Sequence, residues 1–409
     1  MKKFDIPIIY RSPLITAIKR RRRQQDKMKK DFTPTLLDFG PLQILLARHF
    51  GFCYGVENAI EIAFKVLEEN PGKRIFLLSE MIHNPHVNQD LRDRGVRFIM
   101  DTTGKPLLPW DEITAEDIVI IPAFGTTREV ETHLRNIGIE PEHYNTTCPF
   151  VERVWNKAAS IGEKRYTVIV HGKPGHEETR ATFSHSQSYA PTIVIRNMEE
   201  AEELADFILG RRPPSEFYTR FIGQYSDGFN LETDLNYVGV VNQTTMLAHE
   251  TQAIADFFKD VMAEKFGPED KGMNGHFADT KDTLCYATND NQNAILHILN
   301  EDADLAVVVG GYNSSNTSHL VELCEKKMPT YFISSGDKLL NESEILHWSS
   351  LQKREIKTTG YLPHKEPLRI IITSGASCPD ALVENVITRL LSFYGLESKL
   401  DRMIEAFGG

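Results

Sequence analysis

Short apolar runs punctuated by glycine and polar loops set the rhythm of this chain. Residues 118–121 (IVII), 167–170 (TVIV), 238–241 (VGVV), 306–309 (AVVV) and 370–372 (III) are apolar and largely β-branched at consecutive positions, as strands covered on both faces are. Helical periodicity follows such runs. After Gly55, the residues Val56, Ala59, Ile60, Ala63, Val66 and Leu67 fit one helix face. A second helix is predicted to open at Pro149 and to continue through Val151, Val154, Trp155 and Ala158, and a third at Pro379 with Leu382, Val383, Val386 and Leu390. The alternation predicts an α/β fold of βα units around small, mostly parallel sheets.

The elements recur in order. A cysteine at a strand-to-helix turn appears in GFCYGVENA, in NTTCPFVERV and in DTLCYATNDNQ, and each is followed by strands that end in small or polar loops. Those loops are PAFGTT, then HGKPGHEET and NQTT, then GGYNSSN and TSGASCPD. The repetition predicts three similar α/β domains, at 31–147, 148–281 and 282–409, after a basic extension at 1–30. Residues 209–236, rich in proline, glycine and aromatics, read as an insertion in the second domain.

Composition narrows the class. Hydrophobic residues at 41% and charged residues at 25% are ordinary for a folded globular protein and set disordered and fibrous classes aside. No apolar stretch approaches the roughly 18–20 residues that span a bilayer. The net charge of −11 is unevenly spread: residues 1–30 carry 11 Lys/Arg against 2 Asp, so the remainder is strongly acidic. The basic segment reads as a solvated extension, with a hold on nucleic acid or an acidic partner as the other reading. It has neither the apolar core of a secretory signal nor the serine content of a transit peptide, so a cytoplasmic protein is expected. Five cysteines, an odd number in a long chain, argue against a disulfide framework and leave metal binding open.

Ligand sites in open α/β sheets lie beyond the carboxyl ends of the strands, where these loops fall. One cysteine per domain, if the strand ends converge, supplies three thiolates at one point, and helix N-termini favour the deprotonated form. That count suits an iron–sulfur cluster with one iron lacking a protein ligand. It suits structural zinc as well; each cysteine alone reads first as a small buried hydrophobe, and it is their shared position at turns opening helices that favours ligation. Cys324, inside the helical LVELCEKK, and Cys378 read as core. Ser314, Ser315 and Asn316 at a helix start, Ser377 before Pro379, and Thr244 with Thr245 offer donors to an anion such as diphosphate, or simply cap helices. No GxxxxGK[ST] or GxGxxG follows a strand. His83 and His176 sit in glycine- or proline-rich loops. Glu178, two residues past His176, is a proton donor if buried and a helix-start carboxylate if not.

At these residues the chain resembles the 4-hydroxy-3-methylbut-2-enyl diphosphate reductase family, the terminal enzymes of the methylerythritol phosphate route to isoprenoids. The match runs from about residue 43 to residue 392, and GFCYGV, TTCPFV and LCYATNDNQ align with the family's cluster motifs. The resemblance implies that Cys53, Cys148 and Cys285 hold a [4Fe-4S] cluster at the centre of three α/β domains. It implies substrate contacts for His83 and His176, proton donation by Glu178, and substrate binding, mainly at the diphosphate, by Thr244 or Thr245, Ser314, Ser315, Asn316 and Ser377. The implied reaction is a two-electron, two-proton reductive dehydroxylation giving isopentenyl and dimethylallyl diphosphates. No flavin or nicotinamide site is legible, so the electrons are expected from ferredoxin or flavodoxin, with no nucleic acid or membrane as partner. One departure stands out: the SAHG histidine of shorter bacterial members is Phe124 here, in the PAFG form carried by longer plant and cyanobacterial members. Thr126, Thr127 or a backbone N–H of that turn is expected to take over its contact.

Overall fold

The aliphatic runs are strands, and they pair in parallel. The computed structural model describes residues 4–267, 275–278 and 283–408, and the domain boundary expected at 281–282 lies outside the described residues. By contact the chain divides into two units: one gathers the described residues of Met1–Phe64, Ile82–Asp90 and Tyr286–Gly409, the other those of Lys65–Met81 and Leu91–Cys285.

The first unit is built on a five-stranded sheet in the order Thr35–Asp38, Leu42–Leu46, Leu368–Ser374, Leu305–Val309, Thr330–Ile333. The first two strands are antiparallel to each other and every other neighbouring pair is parallel. Val309 pairs with Ser374, so the two central strands end level. Their following loops, GGYNSS and GASCP, are therefore set side by side. Nearly every residue of these two strands is buried, which is why their sequences run apolar without alternation.

The basic extension is not a loose tail. Residues Pro13–Gln25 form a helix whose N-cap, Ser12, accepts a hydrogen bond from Ile15 N at 2.8 Å, with proline in the first turn. Leu14, Ile15, Ala17 and Ile18 are buried, and the helix packs on the helices Asp380–Phe393 and Lys399–Ala406. Glu384 accepts from Ser12 Oγ and from Leu14 N, and Lys19 pairs with Asp380 at 2.7 Å. The solvated reading failed because four apolar positions on one face outweigh the charges on the other.

The second unit contains a three-stranded parallel sheet, Arg97–Phe98, Ile75–Leu77, Ile118–Ile120, and a four-stranded parallel sheet, Thr192–Ile195, Thr167–His171, Val238–Asn242, Phe277–Ala278. Successive residues of the larger sheet serve opposite cores. Ile169, Ile193, Ile195, Val238 and Val240 enter one, whereas Val168, Val170, Val194 and Val241 enter the other with the helix Pro149–Glu163. Residues 209–236 carry two short helices, and Phe217, Phe221, Phe229 and Leu231 belong to the first of those cores. The aromatics that made this stretch look like an insertion are what fasten it. His171 pairs with Asn242, which aligns the loops after both strands. Among the described residues no helix is long and apolar enough to cross a membrane.

Candidate active site

In the first unit the polar loops meet one another. Ser314 caps the helix Ser315–Glu325, its hydroxyl accepting from Thr317 N at 3.3 Å and Thr317 Oγ1 at 2.9 Å. Ser377 Oγ lies 3.5 Å from Ser314 Oγ and donates to the carbonyl of His83 at 3.1 Å. A Cβ on Gly311 would fall 2.3 Å from that same carbonyl, so glycine is required where the two loops touch. Asn316 Oδ1 accepts from Ala376 N at 3.0 Å and from Asn291 Nδ2 at 3.4 Å. Three donors stay unmatched: Ser315 Oγ, Asn316 Nδ2 and Asn84 Nδ2 are buried with no hydrogen-bond partner among the described residues. Buried polar atoms of this kind are rare in folded proteins and ask for an explanation. Donors gathered at strand ends and a helix N-terminus are suited to an anion.

The corresponding loops of the second unit are paired among themselves. Glu178 is 1% exposed, which removes the solvated helix-start reading. Its Oε1 accepts from Thr244 N and its Oε2 from Thr244 Oγ1 at 3.0 Å. Because a backbone N–H can only donate, Oε1 is fixed as an acceptor. The hydroxyl can donate or accept, so a proton on this carboxyl belongs on Oε2, facing Thr244 Oγ1. His176 caps the helix Glu177–Gln187, with Nδ1 accepting from Glu178 N at 3.2 Å. That bond leaves Nε2 as the nitrogen carrying hydrogen in the neutral ring. Thr245 is turned elsewhere: its hydroxyl accepts from Gln243 Nε2 at 2.6 Å, while Gln243 Oε1 accepts from Lys173 N at 3.1 Å and Thr179 Oγ1 at 2.9 Å.

Phe124 stands edge-on to His176, ring centroids 5.7 Å apart. The turn after it is held from behind. Gly125 has φ +76° and a Cβ there would sit 2.5 Å from Trp155; His185, stacked on Trp155 at 3.7 Å, has Nε2 3.1 Å from the Thr126 carbonyl. Burial pushes the His185 pKa down to about 4, so the ring is neutral and donates from that nitrogen. Thr127 caps the helix Arg128–Asn136, accepting from Val130 N at 3.4 Å. Of the two threonines expected to take over from the missing histidine, Thr127 uses its hydroxyl oxygen as a cap.

Each of the three cysteines immediately precedes a helix: Tyr54–Glu69 after Cys53, Pro149–Glu163 after Cys148, Tyr286–Ile298 after Cys285. Cys53 N donates to the carbonyl of Ala376 at 3.2 Å, the residue whose N–H holds Asn316. Cys148 N donates to the carbonyl of Ala123 at 2.9 Å, one residue before Phe124. Thr283, two residues before Cys285, donates to the Asn242 side chain next to Gln243. In contrast, Cys324 and Cys378 are fully buried, and burial pushes both thiols up to about 12, where they stay protonated and inert. Among the described residues no three His, Cys, Asp or Glu side chains gather as ligands of a single metal ion would. Taken one at a time, each of the three thiols sits at the start of a helix whose N-terminus favours the thiolate, the form that binds iron or zinc.

Gln243, Asn291 and Thr317 were not singled out from sequence. Asn291 carried a signal: it shares a buried helix face with Thr288 and Ile295, and a polar residue in an apolar register calls for a partner.

A model of the family described as LytB protein matches residues 44–391, a span that takes in every turn and loop above. The 4-hydroxy-3-methylbut-2-enyl diphosphate reductase of Picosynechococcus sp. is 41% identical over 354 residues, covering 86% of this chain and 85% of that one. That of Prochlorococcus marinus is 39% identical over 385 residues, covering 94% and 91%. A solved (E)-4-hydroxy-3-methyl-but-2-enyl diphosphate reductase, described as the terminal enzyme of the non-mevalonate pathway, superposes with a TM-score of 0.50 at 25% identity, covering 85% of this chain and 99% of the other. The Plasmodium falciparum enzyme shares the fold at a TM-score of 0.61 and 21% identity, covering 86% and 88%. By class the chain is an α/β oxidoreductase. It belongs to the LytB family.

Proposed function

We propose that this chain catalyses the reaction its relatives are named for, reductive dehydroxylation of 4-hydroxy-3-methylbut-2-enyl diphosphate to isopentenyl and dimethylallyl diphosphates, with a [4Fe-4S] cluster held by Cys53, Cys148 and Cys285. When bound, that cluster supplies single electrons and a Lewis-acidic iron without a protein ligand. Ser314, Ser315, Asn316 and Ser377 take the diphosphate. The hydroxyl of Ser315 and the amide nitrogen of Asn316 are its readiest donors, because neither has a partner among the described residues to give up. His83 and His176 contact the substrate, His176 through its Nε2 hydrogen. Two protons are consumed per turnover: one leaves with the hydroxyl as water and one enters the carbon skeleton. Glu178 holds the exchangeable proton on Oε2 against Thr244 Oγ1. Thr245 supports Gln243 and so positions that pair.

The observation that carries this reading is the buried Glu178–Thr244 pair, a carboxyl kept from water and oriented atom by atom. No disulfide joins the five cysteines, which suits a reducing cytoplasm. Electrons come from a one-electron carrier, ferredoxin or flavodoxin. The test is anaerobic purification with iron and sulfide determination and visible absorption, followed by turnover with dithionite-reduced methyl viologen and identification of both C5 diphosphates. Colourless protein holding zinc, with substrate returned unchanged, sinks it.

A further inference from the structure

We propose that the basic helix Pro13–Gln25 and the cleft it lines are the docking surface for a small acidic electron-carrier protein, with the Cys53 turn in the wall of that cleft. The inference rests on the reaction above, in which electrons must come from outside. The charges are built onto a framework: cap, buried apolar face and bonds to Glu384 and Asp380 fix the helix in place. Its cations fall into two sets. Lys19 pairs with Asp380, Arg21 NH1 donates to the Ala406 carbonyl at 2.8 Å, and Arg22 NH2 donates to the Thr33 carbonyl at 2.6 Å; these hold the fold. Arg20, Arg23 and Lys27 are exposed and, among the described residues, have no carboxylate within ion-pair distance. They serve no structural purpose that their charge would explain.

These three residues line a cleft of about 810 Å³ together with Phe52. Arg23 and Phe52 also line a hollow of about 200 Å³ whose wall includes Cys53 and Tyr286. The two spaces share those side chains in their walls, so the exposed cations stand next to the turn that carries a thiolate assigned to the cluster. Met28, 73% exposed and next in the chain to Lys27, adds apolar surface to the basic patch. Small interfaces mixing charge with a few apolar contacts are typical of transient electron-transfer complexes. The net charge is −11, yet residues 1–30 carry 11 Lys/Arg against 2 Asp, so an acidic partner is drawn to that segment. Nucleic acid would be attracted by the same charges but would gain nothing from a cysteine turn in the wall. Each encounter passes one electron. Two carrier molecules are oxidised as two protons and the C–OH of one substrate become C–H and water.

The experiment uses the full-length holoenzyme and an acidic [2Fe-2S] ferredoxin, comparing Arg20→Glu/Arg23→Glu/Lys27→Glu with the charge-conserving Arg20→Lys/Arg23→Lys/Lys27→Arg. Binding of oxidised ferredoxin is followed by calorimetry at low and physiological salt, and turnover is driven either by reduced ferredoxin or by reduced methyl viologen. The charge reversal is expected to weaken binding about tenfold or more, flatten its salt dependence and raise the KM for ferredoxin alike. Iron content and dye-driven turnover should not change, and the conservative variant should behave as the parent. Ferredoxin affinity indifferent to the reversal, or a patch that holds duplex DNA while ferredoxin binds elsewhere, overturns the proposal. Loss of dye-driven turnover in the unaltered protein instead strikes the reaction assignment, and the binding measurement still decides the docking surface.

Discussion

The two units treat their strand-end loops in opposite ways. In the unit holding Cys53, Ser315 Oγ, Asn316 Nδ2 and Asn84 Nδ2 are buried and unmatched. In the unit holding Cys148 and Cys285, Thr244 bonds to both oxygens of Glu178, and Thr245 and Thr179 bond to the Gln243 side chain. Leaving a buried donor unpaired costs about 1–3 kcal/mol, so a fold keeps several in one place only against a ligand that repays them. A network closed on itself has the reverse property: it is stiff before any ligand arrives, and it fixes which oxygen of a carboxyl can carry a proton. Under the proposed function, one unit receives the anion and the other holds the acid in register.

The largest effect expected is loss of the cofactor, and it tests whether the division of labour extends to the cysteines. Cys53→Ser in one unit and Cys148→Ser or Cys285→Ser in the other should each strip or destabilise the cluster, because a serine hydroxyl is not a thiolate ligand. Cys324→Ser should leave it in place, its thiol being held neutral in the core. Iron and sulfide analysis of the four variants decides. Full iron in Cys53→Ser would assign the cofactor to the second unit alone.

Glu178→Gln comes next. The amide oxygen can still accept from Thr244 N and the amide nitrogen can donate to Thr244 Oγ1, so shape and hydrogen bonding persist while the exchangeable proton is lost. Turnover should fall by roughly 10²–10⁴-fold with cluster content and thermal stability unaltered. Near-normal turnover would reduce the carboxyl to a structural partner of Thr244.

What the sequence disclosed of these features follows the range of the interactions. The cysteine turns were legible because a strand, a cysteine and the start of a helical pattern are neighbours in the chain, as at Cys148 and Pro149. Ser314 was legible as a helix start for the same reason. The N-terminal helix was written there too, in Ser12, Pro13 and the spacing of Leu14, Ile15, Ala17 and Ile18, but a cluster of positive charge drew attention from its apolar face. Partnership across distance was not legible. Nothing local says that the strand Leu42–Leu46 pairs with Leu368–Ser374, or that Thr244 meets Glu178 rather than its neighbour Thr245 doing so. Both threonines look alike until the fold turns one of them away.

A third prediction concerns the sign of a stability change, where the two units should part company. Ser315→Ala removes a buried hydroxyl without a partner, so it should be neutral or stabilising by up to about 1–3 kcal/mol while raising the KM for the diphosphate substrate roughly 10–100-fold. Thr244→Val deprives Glu178 Oε2 of its hydroxyl partner and should destabilise by about 1–3 kcal/mol. Denaturant midpoints alongside KM separate the cases. Equal losses of stability in both variants would erase the distinction between a receiving loop and a closed network.

The smallest effect expected lies at the Phe124 turn, where a phenylalanine stands in place of a polar contact and two threonines follow. The Thr127 hydroxyl accepts from Val130 N at 3.4 Å, a long bond at the N-terminus of a helix. Caps contribute about 0.5–2 kcal/mol, and a bond of that length belongs at the lower end. Thr126 is held through its carbonyl by the neutral ring of His185 and not through its side chain. Thr127→Val should therefore lower stability by about 0.5–1 kcal/mol, and neither it nor Thr126→Val should move the KM for substrate by as much as threefold, well short of the roughly tenfold that loss of a hydrogen bond to a charged group brings. A tenfold rise in KM for either variant, with stability unchanged, would mean that this turn turns a hydroxyl to the diphosphate after all. The receiving function would then be shared by both units, and the unmatched donors around Ser315 would hold only part of the anion.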